Sequence, residues 1–441
     1  MITTSTTSKK QNKHCQNHAK RSENDPKRSE NDPKPSETVR NGPKAFSLAK
    51  VSDSHSFRDV SNDNYEEAFN YILTLGLVAT SLTTYAGNSD RIGESGASQL
   101  LMNGWGRSTG LWDMYCARVS GLEATRLNPA GLSRIDNMQF AAAQTLWLQG
   151  SDIGITQAGV GFKLNEQDAL GVSIFSLNLG DIPRTTVNNP NPQNGLGTFS
   201  PSFINIGLTY SRAFTDNIYG GVTFRLINEG IEDVSASGVS LDAGLQYISG
   251  DKENLRFGVA IRNVGTPMKY GGDGFTYRAT SPDGDNYELT QSLLPTKFEL
   301  PSLLHIGASY DFWFGPEYRC NGAYNAHRVT VIGNFTSNSF GNDHFGGGVE
   351  YGFKEMFMAR LGYRHEKDLW TENSSTVYYG LAGGFSVEVP FKQNGPSIGI
   401  DYSYRASDLN MYNGTHSIGL RFDLRSGSPC DLDNKDEARA L

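Results

Sequence analysis

The residues of this 441-residue chain that could carry chemistry are few, and their spacing works against them. His416 and Ser417 set a base beside a hydroxyl, the pairing of a hydrolase dyad. Adjacent strand residues point to opposite faces, so in an extended segment these two cannot share a proton. His365-Glu366 opens like a zinc-protease helix but lacks the second histidine that would complete the ligand pair. Asp283, Asp285, Asn286 and Glu288 offer the oxygens that calcium takes, yet off the EF-hand spacing, which leaves a solvated acidic loop. No phosphate-binding Gly-Lys-Ser/Thr loop or Cys-x-x-Cys pair occurs. The expectation is a protein that is not an enzyme, with no cofactor and no metal.

The elements that must carry these groups are strands. Hydrophobic residues make up 37%, aromatics 11%, and there are 49 glycines. No apolar run reaches the ~20 residues of a membrane helix. From residue 137 onward, period-two alternation is nearly continuous. Ile204, Ile206, Leu208 and Tyr210 alternate with Asn205, Gly207, Thr209 and Ser211. Ile418, Leu420, Phe422 and Leu424 alternate with Gly419, Arg421 and Asp423. One face is apolar and ends in aromatics, while the other carries glycine, small polar residues and scattered charges. A transmembrane antiparallel β-barrel needs that pattern, with lipid outside and a polar lumen. About fourteen strands are predicted, starting near 137, 152, 168, 202, 217, 235, 254, 301, 327, 344, 356, 375, 395 and 413. Tight polar turns are expected at 165–167, 215–216, 250–253, 354–355 and 392–394, and long loops at 181–201 and 268–300. The stretch 314–326 is the exception, a long connection on the short-turn rim.

Ahead of the barrel the text changes character. Residues 1–64 are dominated by Lys, Ser, Asn, Thr and Asp, repeat Lys-Arg-Ser-Glu-Asn-Asp-Pro at 20–26 and 27–33, and offer too little apolar area to offset chain entropy. They read as a disordered low-complexity extension, the kind a start codon assigned too far upstream produces. Residues 65–86 hold the apolar run 69–82 followed by small residues, the form of a secretory signal cut after Ala86. Removing 86 residues takes the net charge from −8 to −10, which speaks against nucleic acid as a partner. Three cysteines then remain, and a bridge between Cys320 and Cys430 would leave Cys116 single. Residues 425–441 form a flexible tail.

Residues 87–136 carry Gly96-Ala97-Ser98-Gln99-Leu100-Leu101, Gly104-Trp105-Gly106-Arg107, and then Asn128, Pro129, Ala130, Gly131 and Leu132 just before strand one. This order resembles the PorV/PorQ family of outer-membrane proteins, relatives of the FadL-type barrels that serve type IX secretion. The segments 197–201, 205–208 and 262–265 are similar to family text as well. The resemblance implies fourteen strands with residues 87–136 folded into the lumen as a hatch, and no enzymatic activity. It implies partners: the secretion pore, cargo proteins, and outer-membrane lipid. Gly110-Leu111-Trp112-Asp113 and Leu127 depart from the family pattern, which favours a paralogue of PorV.

The hatch glycines would allow close backbone approach, and Arg107, Arg118 and Arg126 would pair with inward acids such as Asp242, Asp311 or Asp401. Asn128-Pro129 reads as the turn that redirects the chain into strand one. Gly419, Phe422 and Leu424 match a barrel-assembly signal in the last strand. In the secretion reading, Phe275, Tyr277, Tyr287 and Phe298 of the long loop would anchor partners. The alternative is a FadL-like transporter of hydrophobic small molecules. It requires an apolar pocket and a lateral opening, signalled by a kinked strand or displaced hatch. A diffusion porin is the third reading.

Overall fold

The computed structural model describes residues 89–425, apart from 187, 192–194, 281–286, 321, 372–373, 375, 392–394 and 408–412. The extension 1–64, the signal 65–86, the tail from 426 with Cys430, the acidic run 283–286 and the turn 392–394 lie outside the described residues.

Fourteen long strands make one antiparallel sheet. They are β1 Met138–Trp147, β2 Ile153–Lys163, β3 Asp168–Asn178, β4 Ser202–Ala213, β5 Ile218–Ile231, β6 Val234–Ser249 and β7 Leu255–Gly265. The second half comprises β8 Leu303–Glu317, β9 Asn325–Asn338, β10 His344–Phe353, β11 Phe357–Glu366, β12 Tyr378–Pro390, β13 Ser397–Ser407 and β14 Thr415–Leu424. Each pairs with its chain neighbours, and β1 closes on β14 from Met138↔Leu424 to Leu146↔His416. Closure leaves no edge, so the ladders of the wall satisfy one another. Every strand starts within three residues of the position expected from alternation.

The two faces divide as the period-two pattern requires. Leu245, Leu361 and Ile400 point outward with 56%, 63% and 50% of their surface exposed. Their inward neighbours, including Gln246, Arg360 and Asp401, are buried. A protein with a dry apolar exterior and a polar interior is stable only in lipid, so the chain is an integral barrel of a Gram-negative outer membrane. No described helix is long and apolar enough to cross a membrane.

Loop lengths are asymmetric. One rim carries 164–167, 214–217, 250–254 and 354–356, and the other carries 179–201 and 266–302. The short-turn rim is the periplasmic one. At the exceptional connection the sheet runs further than expected. β8 continues to Glu317 through a bulge between Phe314 and Glu317, and only 318–324 remain as connection. Phe314 stacks on His327 at 5.3 Å and Asn325 Nδ2 donates to Gly315 O at 3.0 Å, contacts that hold the hairpin together past the rim.

Residues 95–135 thread the lumen. They start at the long-loop rim, where Gly96 N donates to Glu299 O at 3.1 Å, and end beside the short turns. Their short helical turns, α1 Gly106–Thr109 and α2 Ala124–Leu127, and the 3-10 turn Pro129–Arg134 are too brief to persist alone. The wall holds them. Trp105, Leu111, Tyr115, Val119, Leu122, Leu127 and Leu132 form the apolar core of the molecule.

Candidate functional site

Hatch and wall meet where the wall lacks side chains. A Cβ on Gly244 would lie 2.0 Å from Asn128 Oδ1, and one on Gly258 would lie 2.5 Å from Cys116 O. Both glycines face inward, so their absence of side chain is what admits the hatch backbone.

Asn128 organises this approach. Its Nδ2 donates to Cys116 O and to Leu245 O, each at 3.0 Å, and its Oδ1 accepts from Ala130 N at 3.2 Å. The last bond caps the turn that Pro129 begins, and Asn128 itself is extended, as a residue before proline should be. Ala130 O accepts from Ser211 Oγ at 2.8 Å on β4. A Cβ on Gly131 would meet Val119 O at 2.1 Å, and Leu132 fills the space opposite Gly161 and Gly171. The five motif residues therefore act together as the hatch's lower anchor.

Charge fixes the hatch from the side. Arg118 pairs with Asp311 as expected. Arg107 instead approaches Glu350 at 4.0 Å and donates to Tyr115 Oη at 3.1 Å. Among the described residues Arg126 pairs with no acid: it donates to Gln99 O at 2.6 Å and to Met102 O, so carbonyls of the hatch itself hold it. Asp242 is taken by Arg225 at 2.6 Å and Asp401 by Arg421 at 3.6 Å, both within the wall. The centre of the cluster is Glu350, which alternation alone did not single out. It accepts from Arg328 at 2.8 Å and Arg360 at 2.9 Å, with Tyr115 Oη at 3.3 Å. Its sequence signal is an acid between two outward residues, Val349 and Tyr351, which places it inside.

Above the hatch, on the long-loop side, lies a cavity of about 310 Å³. Leu101, Trp112, Met114, Leu303 and Phe340 supply its apolar surface, and Arg262, His305, Asn334, His344, Arg364 and Glu366 its polar groups. Its floor is strained: Trp112 and Asp113 are consecutive non-glycine residues at φ +54° and +62°. Trp112 is wedged between Arg364 and Arg405, whose guanidinium carbons lie 4.2 and 4.6 Å from its ring centroid. Asp113 is tied to Arg405 at 2.9 Å and accepts from Asn103 at 2.7 Å. Burial raises the proton affinity of the Asp113 carboxyl, but Arg405 and Asn103 outweigh it and hold that group below the usual carboxylate range.

The wall beside this cavity is discontinuous. β11 pairs with β12 only from Phe357↔Val387 to Tyr363↔Leu381, although β11 runs on to Glu366. β12 kinks at Gly380, at φ +82°, and its ladder to β13 is interrupted between Tyr378 and Ala382. Leu369 packs into the gap.

The remaining expected residues fall elsewhere. Tyr277 and Tyr287 are exposed near the hairpin formed by Thr276–Thr280 and Glu288–Ser292, and Phe275 is half-buried at its base. Phe298 is turned inward, 5.4 Å from Tyr270 and over Gly96, and so serves the hatch entry rather than the surface. Gly419 faces the lumen against Gly106, while Phe422 points outward toward Phe391 at 6.5 Å. His416 faces outward against Tyr402 and Ser417 inward against Thr145, on opposite sides as a strand dictates. Cys320 is disulfide-bonded, and Cys430, its expected partner, lies outside the described residues. Among the described residues no cluster of metal ligands occurs.

No protein-family model matches the chain. No curated protein matches it in sequence. Among solved structures, it is similar to the Pseudomonas putida toluene transporter TodX, at 14% identity over 73% of this chain and 98% of that one, with a TM-score of 0.46. A Pseudomonas aeruginosa FadL homologue follows at 12% identity, over 73% and 96% of the two chains, with a TM-score of 0.41. The KdgM porin aligns at 6% identity over 65% and 99%, with a TM-score of 0.27.

Proposed function

We propose that this barrel is a hatch-gated, non-enzymatic channel that admits small hydrophobic or amphipathic molecules from the cell surface. The observation that carries this reading is the cavity above the hatch. It opens on the long-loop side, is floored by the strained Trp112-Asp113 turn, and lies beside the interrupted β11–β12 seam. Its lining sets apolar side chains beside a larger number of polar and charged ones, a mixed surface that suits a small amphipathic molecule. The kinked strand is the sign that the transporter alternative required of the sequence. Below the cavity the hatch fills the lumen with paired charges and backbone contacts, so passage requires the hatch to move.

The test is uptake by Gram-negative cells expressing the full chain, whose lipopolysaccharide leaflet holds off apolar solutes. Faster entry of a toluene-sized solute than in cells without the barrel is expected, and equal entry would overturn the reading.

A second reading, the type IX secretion accessory of the PorV/PorQ kind, is favoured by one observation. The 266–302 loop exposes Tyr277, Tyr287, Leu289, Leu293 and Leu294, the last at 87%. Such a patch on an external loop suits a protein partner, whether pore or cargo. Crosslinking from these positions in native outer membranes should capture a large pore subunit or a cargo domain, and a chain that always isolates alone would remove this reading.

A further inference from the structure

Arg262, like Arg126, is a buried lumen arginine with no carboxylate paired to it among the described residues, and of the two it is the one on the cavity lining. It is 4% exposed and lines the cavity above the hatch. The other buried arginines of the wall (Arg225, Arg256, Arg328, Arg360, Arg405 and Arg421) each have a carboxylate within 4.0 Å. Arg262 has none among the described residues. Its Nη2 donates weakly to Leu100 O at 3.3 Å, its Nη1 stands 3.4 Å from His305 Nε2, and its Nε has no partner. The acids nearest the cavity are already engaged. Asp113 is held by Arg405, and Glu366 by His344 at 2.9 Å and Arg364 at 3.8 Å. Two further buried groups on the same lining, Asn334 Oδ1 and Trp112 Nε1, also lack partners among the described residues.

The carboxylates of Asp242 and Asp113 act on Arg262 from beyond ion-pair distance, so its guanidinium is buried with no direct ionic partner, a costly state that a bound anion would relieve. We propose that Arg262 is the anion-binding group of this cavity and that its ligand is a compact organic monocarboxylate, on the scale of an aromatic acid. A single guanidinium without a direct ion pair suits a singly charged ligand, and its planar fork matches a carboxylate. Trp112, Met114, Leu303 and Phe340 leave an apolar space for the body of the ligand. A volume of about 310 Å³ lies at the small end of ligand pockets, which suits a ring more than a long chain. Asn334 Oδ1 accepts hydrogen bonds only, so it has no role toward the anion and would serve a donor elsewhere on the ligand.

This assignment rests on the channel reading, and the test separates the two. The full chain, purified in detergent, is titrated with benzoate and with neutral benzamide while Trp fluorescence and calorimetry report binding. Saturable benzoate binding at least tenfold tighter than that of benzamide is expected. Arg262→Met should weaken benzoate by on the order of 10–100-fold and benzamide by less, so that the preference between them collapses, and Arg262→Lys should restore part of it. Equal binding of both ligands would overturn the anion assignment and leave the channel standing. Saturable binding of neither would overturn the ligand assignment, while entry of a toluene-sized solute decides the channel reading by itself. The benzoate-to-benzamide preference is read on the unaltered protein, so a failure of Arg262→Met to fold does not remove the test.

Discussion

At the scale of single residues, the lumen is governed by which charges find partners. Glu350 meets Arg328 and Arg360 directly and lies near Arg107 and Arg118, so it neutralises a site with more cations than anions. Removing its charge leaves buried guanidinium groups uncompensated. Glu350→Gln should lower unfolding stability by about 3–5 kcal/mol, read as a lower urea midpoint for the barrel. Cys116 gives a different readout. Burial pushes its thiol up to about 12, against a small opposing effect of the Asn128 hydrogen bond. The folded state then holds the proton that the unfolded state releases near pH 9. The associated stability is therefore intact below about pH 9 and is lost as pH climbs toward 12. Alkylation of Cys116 should remain slow from pH 7 to 9 in the folded protein and become rapid on denaturation.

These partnerships were only half legible in the sequence. The inward face of each residue is a local matter, set by parity along its strand, and Asp242, Asp311 and Asp401 all point inward as read. Partner choice depends on which strand a hatch residue passes, which no local pattern encodes. Asp311 therefore receives Arg118 as expected, while Arg126 turns to carbonyls and Asp242 to its own wall.

At the scale of elements, the strands were the most legible feature and the hatch path the least. Alternation repeats over ten or more residues in each strand, so its starts are over-determined. The β8–β9 hairpin departs because ring stacking between Phe314 and His327 extends pairing beyond the rim, an interaction between strands rather than along one. The glycines mark the hatch path only after the fold is known. Gly258 faces the Cys116 carbonyl, whereas Gly333 in β9 has nothing within 4 Å of a would-be Cβ. Gly258→Val should displace the hatch and raise ion conductance in planar bilayers, with a loss of thermal stability. Gly333→Ala should change neither. Equal behaviour of the two variants would mean that glycine is used here for strand flexibility rather than for hatch clearance.

At the scale of the whole molecule, the channel reading takes the lipid-facing wall, the plugged lumen and the external cavity together as a closed state. The hatch carries the apolar core and the buried Arg118–Asp311 pair, so the channel reading needs only a partial movement, at the cavity end where the Trp112-Asp113 turn is strained. The central claim is that hatch movement gates passage, and it can be tested by locking the hatch to the wall. Thr109 Oγ1 and Ser403 Oγ lie 2.6 Å apart, one on the hatch and one on β13. Cysteines at both positions should form a disulfide under oxidation. In cells expressing the double variant Thr109→Cys/Ser403→Cys, entry of a toluene-sized solute should fall to the level of cells without the barrel when oxidised, and recover on reduction. Unchanged uptake by the oxidised, fully crosslinked protein would contradict the account.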